Sequence, residues 1–71
     1  MRFNEAKVAS SLDDVEKLTK KFGGHVFCRR RAREGMPASA FWKCAKPREA
    51  RSIVETLLSF KAGDTIEICP A

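Results

Sequence analysis

The chain has 71 residues, 44% of them hydrophobic and 32% charged, and a formal net charge of +5. At this length it forms one domain, residues 1–71, that can bury only about 60% of its unfolded surface, which argues against a deep catalytic cleft, while the hydrophobic content argues against a disordered tail. No run approaches the roughly 20 apolar residues of a membrane span. Met1-Arg2-Phe3-Asn4-Glu5 does not open a signal peptide, so the expectation is a soluble cytoplasmic protein without membrane contact.

Phe3 to Ala9, FNEAKVA, alternates imperfectly and predicts a first strand with Asn4, Ala6 and Val8 on one face and Phe3, Glu5 and Lys7 on the other. SLDDVEKLTKKFGG then carries the marks of a helix. Ser11 and Asp14 have capping-box spacing, Asp13 and Asp14 suit the positive helix start, and Lys20 and Lys21 suit its negative end. Leu12, Val15, Leu18, Thr19 and Phe22 form one stripe, and Gly23-Gly24 supplies a left-handed stop.

HVFCRRRA, REGMP and ASAFWKCA predict a hairpin of two strands turning near Glu34-Gly35. Pro47 suits the first turn of a second helix, which Ala50, Ile53, Val54, Leu57 and Leu58 carry to about Phe60. KAGD is a turn, and TIEICP is a last strand with Ile66 and Ile68 inward. The order βαββαβ defines an α+β fold of the split-βαβ, ferredoxin-like type, an open-faced two-layer sandwich with an antiparallel four-stranded sheet and two helices on one face. If Ala6, Val8, Val26, Cys28, Trp42, Cys44, Ile66 and Ile68 face the helices, period-two geometry sends Phe3, Phe27, Arg29, Arg31, Phe41 and Lys43 to the open side.

The positive charge is concentrated. Lys20–Arg51 holds ten Lys or Arg against Glu34 and Glu49, a balance of +8 against −3 elsewhere. Such asymmetry points to an anionic partner, with simple solubility as the plain alternative. Arg29, Arg31 and Lys43 beside Phe27 and Phe41 combine cations with rings, as sheets that hold single-stranded nucleic acid do, whereas a charged strand that merely resists edge-to-edge pairing needs no ligand. Trp42, alternating with Phe41, reads as a core anchor.

Cys28, Cys44 and Cys69 are odd in number and contain no C-x-x-C pair, so neither a zinc finger nor a redox dithiol is signalled; they read as buried free thiols, and no metal or cofactor is expected. A Cys28–Cys44 bridge requires neighbouring strands to bring the two opposite each other, and a reducing compartment would keep it open. His25 is the one side chain suited to proton transfer near neutral pH. It follows a helix C-terminus, where the dipole repels phosphate, and reads as an ordinary surface histidine, so no catalytic residue is assigned and the chain is not expected to be an enzyme.

EARSIVETLLSFKAGDTIEI, Glu49 to Ile68, resembles the last helix, turn and strand of HPr, the histidine-containing phosphocarrier of the bacterial sugar phosphotransferase system. That family's pattern there is Ala-Lys-Ser-Ile, a short apolar helix, a glycine-centred turn and an Ile-x-Ile strand, and its order of elements matches over most of this chain. The resemblance implies that Ser52, ahead of Ile53, stands at a regulatory phosphorylation position. The family's phosphorylated histidine lies in Gly-x-His-x-Arg-Pro-Ala at the start of the first helix, where this chain has VASSLDD. The resemblance thus implies a regulatory or binding module that has lost phosphocarrier activity. Its basic middle segment would engage an acidic protein surface through Phe27, Arg29, Arg31, Phe41 and Lys43. Single-stranded nucleic acid, a homodimer through the open face, and a divergent phosphocarrier are the alternatives.

Overall fold

The computed structural model describes residues 6–71. Its elements are strand β1 (Lys7–Ala9), helix α1 (Leu12–Lys21), strands β2 (Val26–Arg30) and β3 (Trp42–Cys44), helix α2 (Pro47–Thr56) and strand β4 (Ile66–Pro70). The strands pair in the order β1-β4-β2-β3, every neighbouring pair antiparallel. β4 therefore splits the β1-α1-β2 crossover and β2 splits the β3-α2-β4 crossover. Two interlocked split βαβ units make the open α+β sandwich that the order of elements implied, with both helices on one face.

Each helix forms for local reasons. The Ser11 hydroxyl accepts the Asp14 amide at 3.1 Å and so caps α1. At the other end the Gly24 amide reaches the Thr19 carbonyl at 2.8 Å and the Gly23 amide reaches Lys20 at 3.0 Å, with Gly23 at φ +85°. This is the paired closure that a left-handed glycine permits, and it turns the chain sharply into β2. α2 starts on Pro47, whose missing N–H costs nothing there. Replacing Ser11 by alanine should lower stability by about 1 kcal/mol, read as a fall of several degrees in Tm; an unchanged Tm would show that water replaces the cap.

Ala9, Val26, Cys28, Cys44, Ile66 and Ile68 from the sheet meet Val15, Ala50, Val54 and Leu58 from the helical layer in one buried core, edged by Leu12, Leu18, Phe22, Ile53 and Phe60. Thr19 is also buried and returns its hydroxyl to the Val15 carbonyl at 2.7 Å, so its polar atom is satisfied without leaving the core.

Several expectations need correction. β1 pairs Lys7 with Ile68 and Ala9 with Ile66, so Ala9 lies under the helices while Val8 shares the open face with Glu67 and is 46% exposed. Ala6 lies on that open side too, lining a hollow with Arg29 and Phe41. The inward face of β4 sets this register, because Ile66 and Ile68 must both be covered. Phe3, Asn4 and Glu5, with the predicted start of the strand, lie outside the described residues. Trp42 does point to the helix side, opposite Cys28, but it is 41% exposed and anchors no core. It stands on edge strand β3, at the margin of the sheet.

α2 stops at Thr56 instead of Phe60. Ser59 adopts φ 54°, and the Phe60 amide folds back to the Val54 carbonyl at 3.1 Å. This exit drops Leu58 into the core and leaves Leu57 57% exposed, reversing the face expected for Leu57. The hairpin tip is the expected one, with Glu34-Gly35 between bridged Arg33 and Met36, although β2 and β3 are shorter than the predicted stretches HVFCRRRA and ASAFWKCA.

Candidate functional site

Strand register collects five residues singled out in the sequence on the open face. Phe27 lies between Lys43 of β3 and Cys69 of β4, and Arg29 lies opposite Glu67. The Arg29 guanidinium stands 4.7 Å from the centre of the Phe41 ring, and Arg31, one residue beyond β2, reaches toward Glu67 at 3.8 Å. A hollow of about 290 Å³ lies among Ala6, Arg29, Phe41, Glu67 and Cys69.

The chemistry of that face differs from its composition. Arg29 gives both its Nε, at 2.9 Å, and a terminal nitrogen to one carboxylate oxygen of Glu67. With a ring on one side and a carboxylate at its donor edge, Arg29 is already occupied by internal partners. Lys43 is the cation of this face with no ion-pair partner among the described residues.

The other two arginines of the run are structural. Arg30 is buried, with its Nε donating to the Leu58 carbonyl at 2.7 Å and its terminal nitrogens to the carbonyls of Arg31 and Pro37, each at 3.0 Å. Arg33 pairs with Asp64 and also donates to the Ser59 carbonyl at 3.2 Å, while Asp64 accepts the Lys61 amide at 2.9 Å. These two guanidiniums fasten the end of β2 to the segment that leaves α2, and they satisfy carbonyls that the broken helix can no longer pair. Arg51 of α2 is likewise engaged, at 2.6 Å from Asp13 and 3.3 Å from Glu16 of α1.

The ten cations of Lys20–Arg51 therefore divide. Arg30 is held by carbonyls, Arg29, Arg31, Arg33 and Arg51 have carboxylates, and Lys20, Lys21, Lys43, Lys46 and Arg48 have no ion-pair partner among the described residues. The last five gather at one end of the domain. α1 ends there, β3 ends there, α2 begins there, and β2 starts beside them, with Gly24 close against the Ala45 carbonyl. Glu16, Lys20, Lys46, Pro47 and Arg48 line a cleft of about 400 Å³ between the helices. The C-terminus of α1 and the N-terminus of α2 meet here with opposite dipole ends, so the positive potential comes from the side chains. Spacing along the chain missed this basic pole, because Lys20 and Lys46-Pro47-Arg48 belong to different elements. Its only local sign was the clustering of lysine where one helix ends and another begins.

His25 is exposed at the same pole, and its carbonyl accepts the Ala71 amide at 3.0 Å. Ser52 is exposed inside α2, where its carbonyl accepts the Thr56 hydroxyl at 2.7 Å, so a phosphate on it would lie past the helix start and gain little from the dipole. Cys28, Cys44 and Cys69 are all buried and outside any disulfide, Cys28 and Cys44 on the helix side and Cys69 on the open side. Among the described residues no three His, Cys, Asp or Glu side chains converge as metal ligands, and no helix is long and apolar enough to cross a membrane.

No protein-family model, curated protein or solved structure matches this chain.

Proposed function

We propose that this domain is a binding module, without catalytic chemistry of its own, that docks the acidic surface of a partner protein on its basic pole. The carrying observation is the gathering of Lys20, Lys46 and Arg48 around one cleft, with Lys21 and Lys43 beside it, all lacking ion-pair partners among the described residues. Cations without carboxylates of their own gain most from a partner's carboxylates, and such surfaces steer encounter as well as hold it. Lys43 joins the pole to the open sheet face, where Phe27 and Phe41 offer packing surface and Arg29 and Arg31 sit behind Glu67.

A carboxylate surface is favoured over single-stranded nucleic acid by the state of the rings. Arg29 lies over Phe41, so that ring is not an open platform for a base. The resemblance to the HPr phosphocarriers adds no chemistry to this reading, since His25 follows the C-terminal end of α1, where the dipole disfavours a phosphoryl group.

The test is a pair of anisotropy titrations at two salt concentrations, one with a labelled glutamate-rich peptide and one with a labelled uridine oligonucleotide. The peptide should bind at low salt, more tightly than the oligonucleotide, and weaken as salt rises. Tighter oligonucleotide binding with a steep salt slope would instead establish the nucleic-acid reading. If neither probe binds at low salt, the basic pole is a solubilising surface and the proposal fails.

A further inference from the structure

Two buried thiols have no part in the docking surface. Cys28 lies opposite Trp42 and Cys44 opposite Val26, so the cysteines are diagonal neighbours on the helix side of the β2–β3 pair, not opposite one another. Their sulfurs are nevertheless 3.9 Å apart and share a hydrogen bond. β3 is a three-residue edge strand paired on one side only, so it opens locally at small cost.

We propose that Cys28 and Cys44 are a redox-responsive pair that closes into an intrachain disulfide and ties edge strand β3 to β2. The hydrogen bond to Cys44, and then burial, push the Cys28 thiol up, while the same hydrogen bond draws Cys44 down. Cys44, carried by the short edge strand, is the sulfur that local opening exposes first. With a peroxide as oxidant, the Cys44 sulfur attacks one peroxide oxygen, the O–O bond breaks, and a sulfenic acid forms as hydroxide leaves and takes up the thiol proton as water. The Cys28 sulfur then attacks the Cys44 sulfur. The S–O bond breaks, the disulfide forms, and the second water carries away the Cys28 proton, so two thiols and one peroxide give one disulfide and two waters.

Closure needs the sulfurs to approach from 3.9 Å to the roughly 2 Å of an S–S bond, and because the two residues are diagonal neighbours β3 must also shift against β2, a movement open to a short edge strand. It would hold the strand that carries Lys43 and leads to Lys46, making the oxidised protein stiffer at the basic pole.

The experiment exposes the full chain to hydrogen peroxide and counts thiols after denaturation. The expected result is a fall from three titratable thiols to one, an intact mass lower by two hydrogens, and a linked peptide pair containing Cys28 and Cys44 that dithiothreitol separates. Tm should rise by several degrees, and exchange of the β3 amides should slow. Cys69→Ser should retain the response, and Cys44→Ser should abolish it. Peptide mapping of the unsubstituted protein decides the matter even if Cys44→Ser fails to fold. Three surviving thiols, a link through Cys69, or Cys44 oxidised to sulfinic acid with Cys28 still reduced would each overturn the proposal.

Discussion

Arg30→Ala should destabilise the domain by about 3–5 kcal/mol, against a total stability of roughly 4–10 kcal/mol for a chain of this size. The guanidinium is buried and donates to three carbonyls, those of Leu58, Arg31 and Pro37, and truncation strands all three while leaving a cavity. A fall in Tm of roughly 15 °C or more follows. Arg30→Lys should recover little, since a compact ammonium cannot reproduce the planar fork that reaches three carbonyls at once. By contrast, Arg31→Ala, which loses only a 3.8 Å contact from a half-exposed side chain, should change stability by less than about 1 kcal/mol. Thermal melts of the three variants distinguish these fates. An Arg30→Ala protein melting within about 3 °C of the parent would mean that water satisfies the carbonyls and that the clamp is not structural.

The double variant Lys46→Glu/Arg48→Glu should weaken binding of the glutamate-rich peptide by about 30-fold at low salt. Each reversal replaces attraction by repulsion at a solvent-exposed site, about 1 kcal/mol apiece, and the two effects add to about 2 kcal/mol. Net charge alone could produce part of this loss. Lys61→Glu tests that contribution, because Lys61 lies in the segment after α2, at the opposite end of the domain from the cleft. A localised docking site predicts that Lys61→Glu changes affinity only a few-fold and that raising the salt narrows the gap between the variants. Equal losses per reversed charge at both ends would show that the probe senses overall charge and would remove the pole from the mechanism.

Much of the architecture was legible along the chain because it is written in short-range chemistry. Ser11 and Gly23-Gly24 bound α1 by hydrogen bonds that span a few residues, and Ile66 and Ile68 mark the inward side of β4 by simple alternation. β1 was less legible. Ala6, Val8 and Ala9 put apolar side chains on both of its faces, so periodicity could not choose between registers, and pairing with β4 had to do so. The end of α2 was misjudged for a related reason. The apolar stripe continues through Leu57 and Leu58, but burial of Leu58 and the carbonyl contacts of Arg30 and Arg33 favour breaking the helix early.

Taken alone, the order of residues pointed to an α+β fold, its layers, its buried cysteines and a middle segment rich in positive charge. It left open which of those cations remain available to a partner. Arg29 finds Glu67, Arg33 finds Asp64 and Arg51 finds Asp13 only across the folded chain, each more than thirty positions away, while Lys20, Lys46 and Arg48 converge without carboxylates of their own. Helix and strand periodicity act over a few residues. Ion pairing acts over a few ångströms, and strand register and helix packing decide which distant groups come that close.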